Sequence, residues 1–243
     1  MAYSHEVEHS IRSKISLCFG AAGLVLLPLG ALGTKLGLWN HGIGIIMVML
    51  AFLSSLVPVA LFLGFGWHSG YRSERPALLA GMAMGLLPLA IALYMFGTSS
   101  GAPIIHDIST DTSRPPEFQT IVNLREAKHN SLEWSEQVAA QQRLAYPEIS
   151  SIESSLSTEQ AFAKSLQLAS ELGWEIVDSD TRDNYIEAVA TTYWFGFTDD
   201  IVIRIEATST GSVIDLRSAS RVGQGDLGAN AKRIGTFITE FRQ

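Results

Sequence analysis

Cysteine is almost absent from this sequence, which contains one, Cys18, among 243 residues. A single cysteine cannot form a disulfide within the chain, and it excludes metal sites built from several thiolates. Cys18 also lies within an apolar stretch, so a catalytic thiol is not supported. The chain must therefore fold and act without cysteine chemistry.

Positive charge is scarce as well, and charge of either sign is nearly missing from the N-terminal part. The chain has 17 Lys and Arg against 24 Asp and Glu. No run of Lys or Arg could neutralise nucleic-acid phosphates, so we expect no nucleic-acid partner. Residues 1–98 hold 5 basic and 3 acidic residues, whereas the remainder holds 12 and 21, a net charge of −9. This asymmetry predicts two parts that occupy different solvents.

Three long stretches contain no Asp, Glu, Lys or Arg at all. They cover residues 15–34, 43–67 and 77–97 and are 20, 25 and 21 residues long. A bilayer core about 30 Å thick is crossed by roughly 20 helical residues, so each stretch is long enough to span it. Acidic residues before the first stretch, and the two stretches after it, argue against a cleaved signal peptide. The sequence thus predicts a lipid-embedded anchor of three transmembrane helices in residues 1–98.

The cations that flank these stretches are unevenly distributed. The loop between the first two stretches has one cation, Lys35. The opposite side has four: Arg12, Lys14, Arg72 and Arg75. Because cytoplasmic loops carry an excess of Lys and Arg, the N-terminus is predicted in the cytoplasm and the C-terminal domain on the far side. We therefore expect an integral protein of a bacterial inner membrane with a periplasmic domain.

Small and kinking residues recur within the apolar stretches. Each stretch has a central proline: Pro28, Pro58 and Pro88. A transport site built on broken helices usually shows an ionisable residue inside the membrane, and the stretches contain none, so we interpret these residues as packing features. Gly81 and Gly85 form a G-x-x-x-G face that a second helix can approach closely. We expect this face to contact another membrane protein or a second copy of the chain.

Residues 99–243 show the patterns of a soluble α+β domain. Helices are predicted at residues 133–144 and from Ser157, where Gln160 completes a capping box, with a last helix after Asp226. The buried stripe of that last helix is expected to contain Leu227, Ala231, Ile234, Ile238 and Phe241. Strand patterns cover residues 174–178, 185–193, 200–207 and 212–220. This order predicts an antiparallel sheet of about four strands with helices on one face.

A turn signal at residues 209–211 predicts a hairpin between the last two strands. A diagonal ion pair is expected across this hairpin between Arg204 and Asp215. A second is expected between Glu206 and Arg217.

Several strings in the soluble part resemble an uncharacterised family. PIIHDISTD at residues 103–111 and RPPEF at 114–118 resemble its opening, and DLRSASRVGQGDLGANAKRI at 215–234 is similar to its end. The string AYP at 145–147 fits between them. The chain is identified on these strings as resembling domain-of-unknown-function family 1499 over roughly residues 100–240. The resemblance implies a fold and a class but no established reaction.

His106, Asp107 and Asp111 form the most catalytic-looking group in the sequence. A histidine beside carboxylates could bind a divalent metal or act as a base with an orienting acid. The spacing typical of metal sites is missing, and the two aspartates could equally accept backbone hydrogen bonds in Asx-turns. These three residues are therefore weak candidates for catalysis, and no metal or other cofactor is predicted.

A second group, near the C-terminus, could bind an anion. The last strand runs towards a helix start, where backbone N–H groups and arginines favour phosphate or carboxylate. The candidate residues are Arg217, Arg221, Asn230 and Arg233. The alternative is a salt-bridge network in which Asp215 and Asp226 neutralise the arginines.

Three functions remain open on this basis. The first is a membrane-anchored accessory or binding module, because no complete catalytic set is present. The second is a metal-dependent or acid/base hydrolase using His106, Asp107 and Asp111. The third is a sensor of anions or lipid headgroups using Arg217, Arg221 and Arg233.

Overall fold

The computed structural model describes residues 10–99 and 101–243 of the chain. These residues divide into two compact units. The first comprises the chain up to Thr98 together with Trp194–Gly196, and the second comprises Ser99–Tyr193 and Phe197–Gln243.

The N-terminal unit consists of three α-helices of 25 residues each. They are α1 (Ile11–Lys35), α2 (His41–Phe65) and α3 (Arg75–Ser99), and a short 3-10 helix at Ser69–Tyr71 precedes α3. All three are long and apolar enough to cross a membrane. They include the three uncharged stretches almost completely, which confirms the three predicted apolar helices. Their length and composition indicate a membrane protein.

Glycine allows the three helices to approach one another closely. A Cβ atom added at Gly20 would lie 2.6 Å from the carbonyl oxygen of Gly81, and one at Gly85 would lie 2.9 Å from that of Ser55. Any larger residue at these positions would force the helices apart, as in other membrane helix pairs with small residues at the contact. The face of Gly81 and Gly85 is thus packed within the chain. Its association with another protein stays a prediction.

The start of α1 is held to the segment between α2 and α3. The Arg12 guanidinium donates hydrogen bonds to Glu74, with Nη2 2.8 Å from Oε1. It also lies over the rings of Tyr71 and Phe65, at 4.5 and 5.4 Å from their centroids. A planar guanidinium can pair with a carboxylate and stack on rings at once, so one side chain links α1 to the end of α2 and to the segment before α3.

The C-terminal unit contains three helices and six strands. In chain order they are β1 (Asp107–Ser109), α4 (Glu136–Ala145), β2 (Ile152–Ser154), α5 (Thr158–Glu171), β3 (Glu175–Asp180), β4 (Tyr185–Thr191), β5 (Thr198–Thr208), β6 (Gly211–Ser220) and α6 (Ala229–Phe241). A 3-10 helix at Ile121–Leu124 lies in the long connection between β1 and α4.

All the strands pair antiparallel in one sheet. Its order is β1-β6-β5-β4-β3, and β2 pairs with β6 beside β1. The antiparallel sheet and its four long strands confirm the predicted fold class. The two additional strands have only three residues each, which is too short for an alternating pattern to be recognised.

The two faces of the sheet are covered differently. Helices α5 and α6 pack on one face and form the main core around Ile203, Leu216 and Phe237, as predicted. The other face is covered by the connection between β1 and α4, whose Phe118 and Ile121 pack in a smaller apolar cluster. This face of the sheet is therefore covered by a mostly irregular segment, whereas in many folds a layer of helices covers it.

One sheet edge is closed by a side chain. The buried Gln142 of α4 accepts a hydrogen bond from the backbone N–H of Ser109 at 2.9 Å and donates one to its carbonyl at 2.6 Å. The amide thus pairs with β1 as a neighbouring strand would. Exposed strand edges invite pairing with other chains, and this arrangement blocks one.

The helix starts agree with the sequence in part. Ser157 and Gln160 form the predicted capping box of α5. Asp226 accepts hydrogen bonds from the backbone N–H groups of Gly228 and Asn230, but Gly228 itself is the N-cap residue of α6. The predicted place of Leu227 in the buried stripe is wrong, since it precedes the helix and is exposed.

The hairpin of β5 and β6 has a register different from the expected one. Residues 209–210 form its loop, so Arg204 lies directly opposite Asp215 rather than diagonal to it. Their ion pair is confirmed at 2.9 Å. The predicted pair of Glu206 with Arg217 is wrong, because Glu206 lies opposite Val213.

A buried carboxylate fixes the connection that covers the second face. Glu187 of β4 is completely buried and accepts hydrogen bonds from the backbone N–H groups of Gln119, Thr120 and Ile121. Burial raises the pKa of Glu187 above its ordinary value, and the three N–H donors act against that shift. This carboxylate therefore holds the start of the 3-10 helix against the sheet.

Glu187→Gln should destabilise the C-terminal unit by about 2 kcal/mol, because the amide nitrogen cannot accept the backbone N–H bonds and leaves them unpaired. Chemical unfolding of the full chain in detergent would measure this change. The exposed Glu175→Gln on β3 is the control, and equal stability of the two variants would contradict the role of Glu187.

Candidate functional site

Strand β6 carries polar residues to both faces of the sheet near its C-terminal end. Asp215, Arg217 and Arg221 point to the face covered by the connection, whereas Ser218 and Ser220 point to the helices. Alternation along an extended strand produces this division. The charged residues of the sheet therefore form two separate groups.

Arg217 is held in a buried ion pair with Asp107. Its Nε and Nη2 atoms lie 3.0 and 2.7 Å from the carboxylate, and both side chains are at most 5% exposed. The guanidinium lies between the rings of Phe118 and Trp134, 5.3 and 5.4 Å from their centroids. It also donates to the carbonyl of Leu132 at 2.6 Å. These contacts satisfy the charge of Arg217 within the protein.

Asp200 is shared by two arginines on the same face. It is completely buried, 2.7 Å from Nε of Arg125 and 2.7 Å from Nη2 of Arg221. Arg125 also donates to the carbonyl of Ala219 at 3.2 Å. The side chain of Arg221 is 18% exposed, so it is the part of this group nearest to solvent.

A hydrogen-bonded network lies on the helix face. The Ser218 hydroxyl donates to Oδ1 of Asn230 at 2.7 Å. Arg233 donates to Ser218 at 3.0 Å and forms an ion pair with Asp199 at 2.6 Å. Asn230 in turn donates to the carbonyl of His106 at 3.1 Å. The network links α6 to β6, β5 and the residue before β1.

The four residues predicted to bind an anion are therefore not brought together. Arg217 and Arg221 lie on one face of the sheet, while Asn230 and Arg233 lie on the other. Each arginine has an aspartate partner, in the manner of the alternative salt-bridge network. The partners are Asp107, Asp200 and Asp199 rather than Asp215 and Asp226.

The three residues of the catalytic-looking group are also separated by their contacts. Asp107 is bound to Arg217, while Nδ1 of His106 lies 3.4 Å from the carbonyl of Gln224. Asp111 accepts hydrogen bonds from the backbone of Arg114 and two other donors. Within residues 10–99 and 101–243, no group of three or more His, Cys, Asp or Glu could hold a metal ion.

Asp111 combines a turn with an ion pair. It accepts the N–H groups of Ser113 and Arg114 at 3.0 and 2.9 Å and the Arg204 guanidinium at 3.1 Å. Burial disfavours its charge, yet these donors together hold the pKa of Asp111 below its ordinary value. The Asx-turn anticipated from the sequence is present, and the charge is stabilised.

Sequence reasoning missed a polar cleft beside β6. Strands β1 and β2 pair with different parts of the same side of β6, at residues 217–219 and 212–214. Neither strand pairs with the residues between these two parts, which leaves a notch in the sheet edge. The notch opens into a cavity of about 520 Å³, within the usual size of small-molecule sites. Its lining residues are Thr110, Asp111, Thr112, Ser113, Ser150, Ser151, Glu153 and Arg242.

Hydrogen bonds to Asp215 fix the inner wall of the cleft. The buried Asp215 accepts hydrogen bonds from the hydroxyls of Thr110, at 2.8 Å, and Ser151, and it pairs with Arg204 at 2.9 Å. These bonds orient two lining hydroxyls. The hydroxyl-rich segments at 110–113 and 150–151 were the only signal of this cleft in the sequence, and they lie about 40 residues apart.

Arg242 differs from the other arginines of the C-terminal unit. Nine arginines occur in residues 101–243, and eight of them form an ion pair with Asp or Glu. Among the residues that the structure describes, Arg242 has no such partner. An arginine at the rim of a cleft can donate a pair of hydrogen bonds to a carboxylate or phosphate.

Arg217→Lys should lower the unfolding free energy by about 3 kcal/mol, because an ammonium cannot reproduce the bidentate pair and leaves buried acceptors unpaired. Chemical unfolding, followed by tryptophan fluorescence in detergent, would measure the loss. The exposed Arg182→Lys, which keeps its charge beside Asp180, is the control and should change stability little. Equal effects would refute the special role of Arg217.

Two comparisons with known proteins bear on this arrangement. No functionally curated protein matches the chain. The family described as "Protein of unknown function (DUF1499)" matches residues 107–241, which is more than half of the chain and contains the whole sheet with both charged groups. The resemblance seen in the sequence is thereby confirmed, and the chain belongs to the DUF1499 family.

Proposed function

We propose that this protein is a membrane-anchored binding module whose C-terminal unit holds a small polar ligand in the cleft beside β6. The observation that carries the proposal is the distribution of arginines. Eight form ion pairs with carboxylates, whereas Arg242, at the cleft, has no such partner among the residues described and is available to a ligand.

The lining of the cleft suggests the chemistry of its ligand. Side chains of Ser150, Glu153 and Arg242 are exposed and make no hydrogen bond or ion pair with the residues described. Arginine offers a fork of donors for a carboxylate or phosphate, and the hydroxyls and Glu153 suit hydroxyl or amino groups. The ligand we infer is therefore a small molecule that carries one anionic group beside hydroxyl or amino groups.

The ion pair of Asp107 with Arg217 argues against a catalytic role for Asp107. Asp107 and Arg217 satisfy each other in a water-excluded position, and a buried pair is hard to break. A hydrolase using His106, Asp107 and Asp111 would have to release Asp107 from Arg217 first. This second function stays a prediction.

The sensor of anions or lipid headgroups is the third candidate. Of its three arginines, Arg217 is 4% exposed, whereas Arg221 and Arg233 are 18% and 12% exposed. Arg221 shares the carboxylate of Asp200 with Arg125. Its greater exposure favours Arg221 as the residue through which a sensor would act.

Placement of the unit outside the cytoplasm is part of the same proposal. Four cations flank the spans on the N-terminal side and one on the other. An odd number of spans then carries the C-terminal unit to the far side, which is the periplasm if the membrane is a bacterial inner membrane.

Small carboxylates and phosphates with neighbouring hydroxyl groups should raise the melting temperature of the full chain in detergent, because a ligand that binds only the native state stabilises it. Sugar acids, sugar phosphates and hydroxy acids are the probes. Arg242→Gln should abolish the shift, and Lys232→Gln, which removes an exposed cation elsewhere on α6, should retain it. A shift that survives Arg242→Gln would contradict the proposed site.

Orientation can be tested with single cysteines in a Cys18→Ser background. Leu144→Cys, at a side chain 87% exposed on α4, should react with a membrane-impermeant maleimide in intact cells. Ser69→Cys, exposed between α2 and α3, should react only after permeabilisation. The reverse pattern would place the C-terminal unit in the cytoplasm.

A further inference from the structure

Exposed apolar and aromatic side chains gather at one end of the C-terminal unit. Ile104 is 76% exposed and Leu227 is 64% exposed. The connection between β4 and β5 adds Tyr193, which is 73% exposed. We call these three residues the apolar end. Single exposed hydrophobic residues are ordinary, but a group of large ones marks a surface that contacts something apolar.

Backbone hydrogen bonds show that the segments of the apolar end are neighbours. The carbonyl of Ile105 accepts from the N–H of Asp226 at 3.1 Å, which places Leu227 beside Ile104. The N–H of Arg221 donates to the carbonyl of Thr198 at 3.0 Å, just after the β4–β5 connection. The loop from β6 to α6 therefore joins the two parts of the group.

Leu227 is unusual in its backbone as well as in its exposure. Its φ of 56° lies in the left-handed region, which leucine rarely adopts. Such a conformation is strained for a residue other than glycine, and strained residues are often found at functional sites. The strained conformation here presents a large apolar side chain to the outside of the unit. Burial of that side chain in an apolar medium would offset the strain.

The short connection between α3 and Ile104 limits how far the apolar end can lie from the membrane. Helix α3, which is long and apolar enough to cross a membrane, ends at Ser99. Ile104 follows five residues later, so even a fully extended chain allows it to lie no more than about 17 Å from the end of that helix. Headgroup regions extend several ångströms beyond the hydrocarbon core, and tyrosine and tryptophan are enriched there.

We propose that the apolar end docks on the same bilayer that holds α1, α2 and α3, with Ile104 and Leu227 in the layer between headgroups and acyl chains. Tyr193 has the apolar body and polar tip that suit this layer. The lipid surface is thus the partner of this end, and docking limits the freedom of the tethered unit. This inference requires the membrane anchor but not the ligand cleft.

Spin labels on the full chain in lipid nanodiscs test the docking directly. In a Cys18→Ser background, one label is attached through Leu227→Cys and a matched control through Leu144→Cys, both at exposed leucines. Oxygen partitions into lipid, and a charged nickel chelate stays in water. The label at 227 should collide mainly with oxygen, whereas the label at 144 should collide mainly with nickel.

A label at a second position shows whether the result at position 227 reflects local disruption by the substitution. The label attached through Ile104→Cys should also collide mainly with oxygen. Preferential collision with nickel at both positions 104 and 227 would overturn the proposal. Protection of both from oxygen and nickel alike would also overturn it, since that result indicates coverage by protein rather than lipid. Loss of ligand binding in the cleft would leave the expected collision pattern unchanged.

Discussion

The ion pair of Arg217 and Asp107 is the interaction on which most of the C-terminal unit depends. A guanidinium on a central strand can be buried only if every donor finds an acceptor and the charge finds a counter-charge. Asp107 supplies that charge from β1, and the connection after β1 supplies carbonyls and the rings of Phe118 and Trp134. The connection is thereby fixed over a sheet face that has no helix layer. Glu187 of β4 also fixes the connection, because its carboxylate accepts hydrogen bonds from three backbone N–H groups of that segment.

This use of charge also shapes the candidate site. Carboxylates pair with eight of the nine arginines in residues 101–243, and Arg217, Arg221 and Arg233 are therefore held by contacts within the unit. The ligand site that we propose is at a notch where two short strands share one partner strand. There Asp215 orients hydroxyls from two distant segments, and Arg242, at the rim, has no ion-pair partner among the residues described. Rigid surroundings of this kind hold a site in a defined geometry and favour binding.

Helix packing in the N-terminal unit depends on small residues rather than on buried charge. Its helices have no hydrophobic driving force for association within lipid, so close contact depends on small residues such as Gly20, Gly81 and Gly85. The ion pair of Arg12 with Glu74 secures one end of the bundle. Both units thus employ arginine with a carboxylate and aromatic rings, Arg12 at the bundle and Arg217 in the sheet. In each case the planar guanidinium allows pairing and stacking together.

Local patterns in the sequence determined the three spans, the capping box at Ser157, the four long strands and the family, because each depends on residues close together in the chain. The ion pair of Arg204 with Asp215 was also foreseeable, since a hairpin brings neighbouring strands together. Only the tertiary structure decided the register of that hairpin, the short strands β1 and β2, the exposure of Leu227 and the partner of each arginine. Asp107 and Arg217 are 110 residues apart, and several carboxylates could have paired with that arginine equally well by charge. The cleft required segments near residues 110, 150 and 242 to meet, and no local pattern encodes such a meeting.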